Sequence, residues 1–118
     1  MVMSSEQVAL EVAKALDMKR ADDIRVFDVQ GVSGVTDFYV VATGTSAPHL
    51  KALIAETQRH MKGLGVASYR TSGEADSGWI AVDYIHAVAH VFSPEARAYY
   101  TIERLWETAR EVPFRPES

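Results

Sequence analysis

Apolar positions recur along the chain with two different spacings. Val8, Val12 and Leu16 fall at helical intervals behind Ser4-Ser5-Glu6, a stretch that can cap a helix N-terminus. The spacing predicts a helix ending between Asp17 and Arg20. Asp23 to Val29 reads D-I-R-V-F-D-V, rich in β-formers, and predicts a strand. Gln30-Gly31-Val32-Ser33-Gly34 is a turn with two glycines. Val35 to Thr43 is a largely apolar strand, expected to be covered on both faces.

The helical period returns from about Ser46 to Leu64. Thr45 or Ser46 can cap this helix, and Pro48 is tolerated in its first turn. Leu50, Leu53, Ile54, Thr57, Met61 and Leu64 make the expected buried stripe. Gly63 and Gly65 supply a stop. Val66 to Arg70 predicts a short strand, parallel to the strand before the helix. Thr71 to Gly78 reads as a polar loop. W-I-A-V-D-Y and H-A-V-A-H-V-F then predict a hairpin. Ser93-Pro94-Glu95 starts a last helix, expected to run to about Glu111, with Pro113 and Pro116 marking a frayed tail. The fold class is therefore α+β: one two-layer domain over residues 1–118, a mixed five-stranded sheet with helices packed on it, and a flexible tail at 112–118.

Composition narrows the function classes. The 118 residues hold no cysteine, which excludes disulfides and thiolate chemistry, and no apolar run approaches the ~18 residues of a membrane span. The N-terminus lacks the basic and apolar regions of a signal peptide, so the cytoplasm is the expected compartment. Net charge is −4, which suits a basic protein partner better than nucleic acid gripped by its phosphates.

Candidate chemistry is sparse. T-G-T-S at 43–46 has the strand–turn–helix layout of a phosphate cradle but lacks the G-x-x-x-x-G-K-[ST] pattern, and the nearest lysine, Lys51, lies a full turn into the helix. It reads as a capped turn. His86 and His90, on one predicted strand, would lie about 13 Å apart, too far to share a metal. His49 and His60 are three helical turns apart. Asp22-Asp23 would point to opposite faces of a strand, and no D-x-D occurs, so paired-acid metal catalysis is not expected. No cofactor or metal site is expected. Aromatics, in contrast, crowd the last third of the chain: Trp79, Tyr84, Phe92, Tyr99, Tyr100 and Trp106. Of Tyr99 and Tyr100, about 100° apart on a helix, one can face the core while the other faces outward. Such a cluster predicts a partner surface.

D-V-Q-G, T-D-F-Y-V-V-A-T-G-T-S-A-P-H, W-I-A-V-D-Y, H-V-F-S-P-E-A-R-A-Y-Y and I-E-R-L-W, in that order and spacing, resemble the bacterial ribosomal silencing factors of the RsfS (Iojap, YbeB) family, from about Val8 to Trp106. The resemblance implies a nucleotidyltransferase-like fold used for binding rather than catalysis. It implies docking on the large ribosomal subunit, through its fourteenth large-subunit protein, so that the small subunit cannot join when nutrients are scarce. It also implies a homodimer, with no membrane and no sequence-specific nucleic acid as partner. The family's partner-binding positions fall on Trp79, Asp83, Tyr84, Tyr100 and Trp106. The competing expectation is a nucleotide-binding or nucleotidyltransferase-type enzyme on the same scaffold. The chain departs from the family in having Ile85-His86 where Gly-Asp is common. A β-branched residue resists positive φ, which predicts a longer or different hairpin turn. Ser72-Gly73-Glu74 likewise replaces the family's usual Glu-Gly.

Overall fold

A computed structural model describes residues 3–99 and 104–115, the latter stretch without the side chains at 105 and 106. Ser4 Oγ accepts the Gln7 N–H (3.1 Å) and the Gln7 side chain accepts the Ser4 N–H (2.8 Å). This reciprocal cap starts helix α1, Ser5–Met18, which buries Val8, Val12 and Leu16 as the spacing requires. Strand β1, Asp22–Asp28, follows and pairs antiparallel with β2, Phe38–Thr43. Helix α2, Ala47–Gly63, is capped by Ser46 Oγ, which accepts the His49 N–H (3.2 Å), and buries Leu50, Leu53, Ile54, Thr57 and Met61. Then come β3, Arg70–Glu74, a 3-10 turn at Ala75–Ser77, β4, Trp79–Asp83, and β5, Ala87–Phe92. The chain continues with α3, Pro94–Tyr99, α4, Arg104–Thr108, and β6, Arg110–Val112.

The sheet order is β3-β4-β5-β2-β1-β6, and only β2 and β5 pair in parallel. Those two central strands are the most apolar, because both faces are covered over most of their length. Helices α1 and α2 lie together on one face over the main core, which includes Val12, Leu16, Val40, Leu53, Val82 and Val91. Each fully buried Val or Leu there contributes about 1.5–3 kcal/mol of transfer free energy. A smaller cluster on the other face, Phe27, Val29, Val41 and Phe92, is met by Ala96 of α3 and by Ala109. Arg97 fastens α3 to the sheet: its Nη1 donates to Asp23 O (2.9 Å) and Thr43 Oγ1 (2.7 Å), and Nη2 lies 3.2 Å from Asp23 Oδ2.

Four expectations change. The sheet has six strands rather than five. The sixth, Arg110–Val112, occupies residues expected to end a helix and begin a tail. It pairs with β1, buries Val112, and is held by Arg110 on Asp28 (2.9 Å) and Glu111 on Arg25 (3.3 Å). The strand expected at 66–70 begins only at Arg70 and runs through the polar T-S-G-E. As the outer strand of the sheet it exposes nearly every residue, so no alternation marked it. β3 does run in the same sense as β2, but β4 and β5 lie between them. Leu64, counted in the buried stripe, is 46% exposed because the helix has ended at Gly63 and the periodicity no longer applies.

Candidate docking surface

Three backbone donors at the T-G-T-S turn are already engaged. Gly44 N donates to Phe92 O (2.9 Å), Thr45 N to His49 Nδ1 (2.9 Å) and His49 N to Ser46 Oγ (3.2 Å). His49 Nε2 reaches Lys19 O (2.7 Å), which places the ring proton on Nε2 and ties the start of α2 to the end of α1. A phosphate would need those N–H groups free. Gly44 serves packing instead: a Cβ there would come 2.7 Å from Leu50 Cδ2 and 3.2 Å from Leu53 Cδ1. Among the described residues no group of three or more His, Asp or Glu is placed to hold a metal ion. His60 binds Glu11 (2.8 Å) between the two helices, and His86 sits in a turn rather than on a strand with His90.

The face opposite α1 and α2 is more distinctive. Its half nearest the β3 edge carries Trp79, Ala81 and Asp83 from β4, Val88 and His90 from β5, Tyr39 from β2, and Arg70 and Ser72 from β3. Together they line a shallow depression of about 190 Å³. These are alternate residues along each strand, as period-2 geometry demands. The small Ala81 and Ser72 form part of its floor. Trp79 Nε1 donates to His90 Nδ1 (3.2 Å), and the two rings are nearly parallel, 15° apart with centroids 6.1 Å apart. His90 also meets Tyr39 edge-on at 5.3 Å and Phe92 face-on at 6.0 Å. Burial among these rings pushes the His90 imidazole down to about 4, against a small opposing pull from Asp83. The ring is therefore neutral at pH 7 and able to accept the indole proton. Arg70 and Asp83 are cross-strand partners, so this apolar floor has a charge of each sign beside it.

At one end the depression meets the β4–β5 hairpin. Of the two expected alternatives, a longer turn or a different one, the structure does not show a long turn: only Tyr84, Ile85 and His86 lie between the strands, and Ile85 adopts the positive φ, +72, that its branched side chain resists. Two contacts hold it there. Asp83 Oδ1 accepts the Ile85 N–H (2.7 Å), and Thr36 Oγ1 donates to Ile85 O (2.9 Å). Ile85 and Val35 are 56% and 74% exposed at this end.

Of the five residues expected to bind a partner, the structure brings Trp79 and Asp83 together on this face. Tyr84 lies in the other cluster, 3% exposed beneath the helices, and burial pushes its hydroxyl up to about 12. Its ring gives no surface to a partner. The reason is parity, since Trp79 and Asp83 are four apart and Tyr84 is one further along. Tyr100 lies outside the described residues, as does the side chain of Trp106. Tyr99 is 80% exposed. Tyr39 and Arg70 carry no signal in the sequence, and His90 stands there only as a metal-ligand candidate set aside on distance. The alternation in A-V-A-H-V-F, with a hairpin register aligning Trp79 on Phe92, would have placed His90 diagonally beside Trp79.

Known proteins share this fold. The family model described as ribosomal silencing factor during starvation, RsfS, matches residues 2–118. The Bacillus subtilis ribosomal silencing factor RsfS is 32% identical over 91% of this chain and 91% of its own. The mouse protein named mitochondrial assembly of ribosomal large subunit protein 1 is 32% identical over 77% of this chain and 41% of its own. A crystal structure from Chromobacterium violaceum superposes with a TM-score of 0.84 at 28% identity, over 98% of both chains. With a match across almost its whole length, the chain belongs to the RsfS family of ribosomal silencing factors.

Proposed function

We propose that this protein docks on the large ribosomal subunit with the open half of its sheet, taking the basic fourteenth large-subunit protein as partner. Docked there, it stands in the way of the small subunit and represses translation in the cytoplasm under nutrient limitation. The observation that carries this reading is the Trp79–Asp83 face. It offers a broad aromatic floor with an acid beside it, left open by the helices among the described residues. Family membership and the −4 charge support it, as does the mouse relative, whose name places it in assembly of a large subunit. Tyr100 and Trp106 extend the contact from the C-terminal segment, while Tyr84 stiffens the strand from beneath. The same face pairs two copies in a homodimer when no subunit is present. Phosphate chemistry on this scaffold, nucleotidyltransferase-like in our reading, is disfavoured because Gly44, Thr45 and His49 have spent their N–H groups.

A subunit-joining assay tests the function. The protein should lower the yield of joined ribosomes from purified subunits, and Trp79→Ala should restore it while keeping the parent's circular dichroism. Undiminished joining in the presence of excess protein sinks the reading.

A further inference from the structure

Trp79 is the largest side chain on the open face, and an indole on a strand can swing about two side-chain torsions. Three contacts remove that freedom. Its six-membered ring lies against β3 at Gly73, where φ is +84 and an added Cβ would come 2.9 Å from Trp79 Cε3. Its N–H reaches the other way, to His90 Nδ1 on β5 (3.2 Å). The two rings are nearly parallel, 15° apart. His90 is fixed in turn by the edge of Tyr39 and the face of Phe92. The indole therefore lies across the sheet, bridging three strands, instead of standing up from it.

We propose that His90 is the positioning residue of the docking face: its unprotonated Nδ1 holds the Trp79 indole in the orientation that meets the ribosomal partner. This rests on the docking reading above. The chemistry explains the residue type. Imidazole combines a flat ring for stacking with an in-plane lone pair, whereas phenyl has only the ring and a carboxamide only the acceptor. The indole proton on Nδ1 leaves the imidazole's own proton on Nε2. An indole fixed before docking does not lose its rotamer freedom on binding, which is the usual advantage of preorganisation.

The test compares parent, His90→Phe, His90→Gln and Trp79→Ala for co-sedimentation with free large subunits. Proton–nitrogen NMR spectra of the same proteins follow the Trp79 indole N–H, assigned with Trp79→Phe. His90→Phe should bind about tenfold more weakly, the scale of one lost hydrogen bond. Its indole proton should exchange faster with solvent while its melting curve stays close to the parent's. His90→Gln should recover most of the binding and the protection. Binding by His90→Phe within twofold of the parent, with Trp79→Ala unable to bind, overturns the proposal and leaves the docking reading standing. Parent-like binding by Trp79→Ala overturns both. Should His90→Phe fail to fold by circular dichroism, His90→Leu takes its place, removing the acceptor while adding less volume than phenylalanine, and the same outcomes apply.

Discussion

Acid should expose the cost of keeping His90 neutral. The folded protein holds this imidazole near 4, chiefly through burial, whereas an unfolded chain titrates it near 6.5. The depressed value fixes the sign. At pH 7 both states are neutral and the site costs nothing in linkage. As pH falls through about 6.5 the unfolded state takes up a proton that the folded state refuses, so stability drops until about pH 4. Between pH 7 and pH 5 the loss is about 2 kcal/mol, and the whole window is worth roughly 3 kcal/mol. His90→Gln removes the titration and keeps an acceptor for the indole. The other three histidines and every carboxylate are common to both proteins, so they cancel in the comparison. The assay is urea unfolding followed by far-ultraviolet circular dichroism at pH 7, 6 and 5 and constant ionic strength. The parent should lose about 2 kcal/mol more than the variant between the two extremes. Parallel losses in the two proteins, within about 0.5 kcal/mol, would refute the burial argument.

Other substitutions probe the frame around the site. Gly73→Ala should destabilise by about 2–3 kcal/mol, because φ is +84 and the new Cβ would lie 2.4 Å from Trp79 O, a backbone atom that cannot step aside; unchanged urea unfolding would contradict the strand geometry. Arg97→Met should cost about 2–3 kcal/mol, mainly from its bonds to Asp23 O and Thr43 Oγ1, since the half-exposed Asp23 carboxylate adds little. The same variant should loosen α3, read as faster proteolysis after residue 93, and equal digestion rates would count against that anchor. Gly44→Ala should cost about 1 kcal/mol, as the tips of Leu50 and Leu53 must give way. Titration of the parent with millimolar ATP and Mg²⁺ should give no saturable heat; a clear isotherm would mean that the turn at Thr43–Ser46 releases its donors.

Much of the fold was legible from local pattern alone. The reciprocal cap at Ser4 and Gln7, the stripe from Leu50 to Met61 and the hairpin from Trp79 to Phe92 depend on neighbours within a few residues, and sequence spacing reports such neighbours directly. The face of each aromatic was partly legible too. Strand parity separates Trp79 and Asp83 from Tyr84, and expecting all three on one surface overlooked that alternation. Ile85 shows the reverse case. Its local preference against positive φ was real, yet Asp83 and Thr36 hold it there, so tertiary hydrogen bonds outweighed propensity.

The sequence by itself determined the first two helices and the start of the third, the central strands, the absence of thiol chemistry and, through five short motifs in register, the family. It also disposed of the phosphate motif at T-G-T-S, by the lack of a lysine and of paired acids. Only the tertiary structure decided what stands at the sheet edges. Strand β6 exists because β1 has a free edge with Asp28 and Arg25 in place to receive Arg110 and Glu111, partners more than eighty residues away. β3 exists because β4 pairs with a polar segment that has no apolar face of its own. The docking face belongs in part to the same class: hairpin register can set His90 beside Trp79, but Gly73 of β3 and the Tyr39 ring of β2 reach that pair only through strand pairing across the sheet. Local energies fix periodic elements, but edges and faces are fixed by pairing across the sheet, and that information resides in the assembled chain.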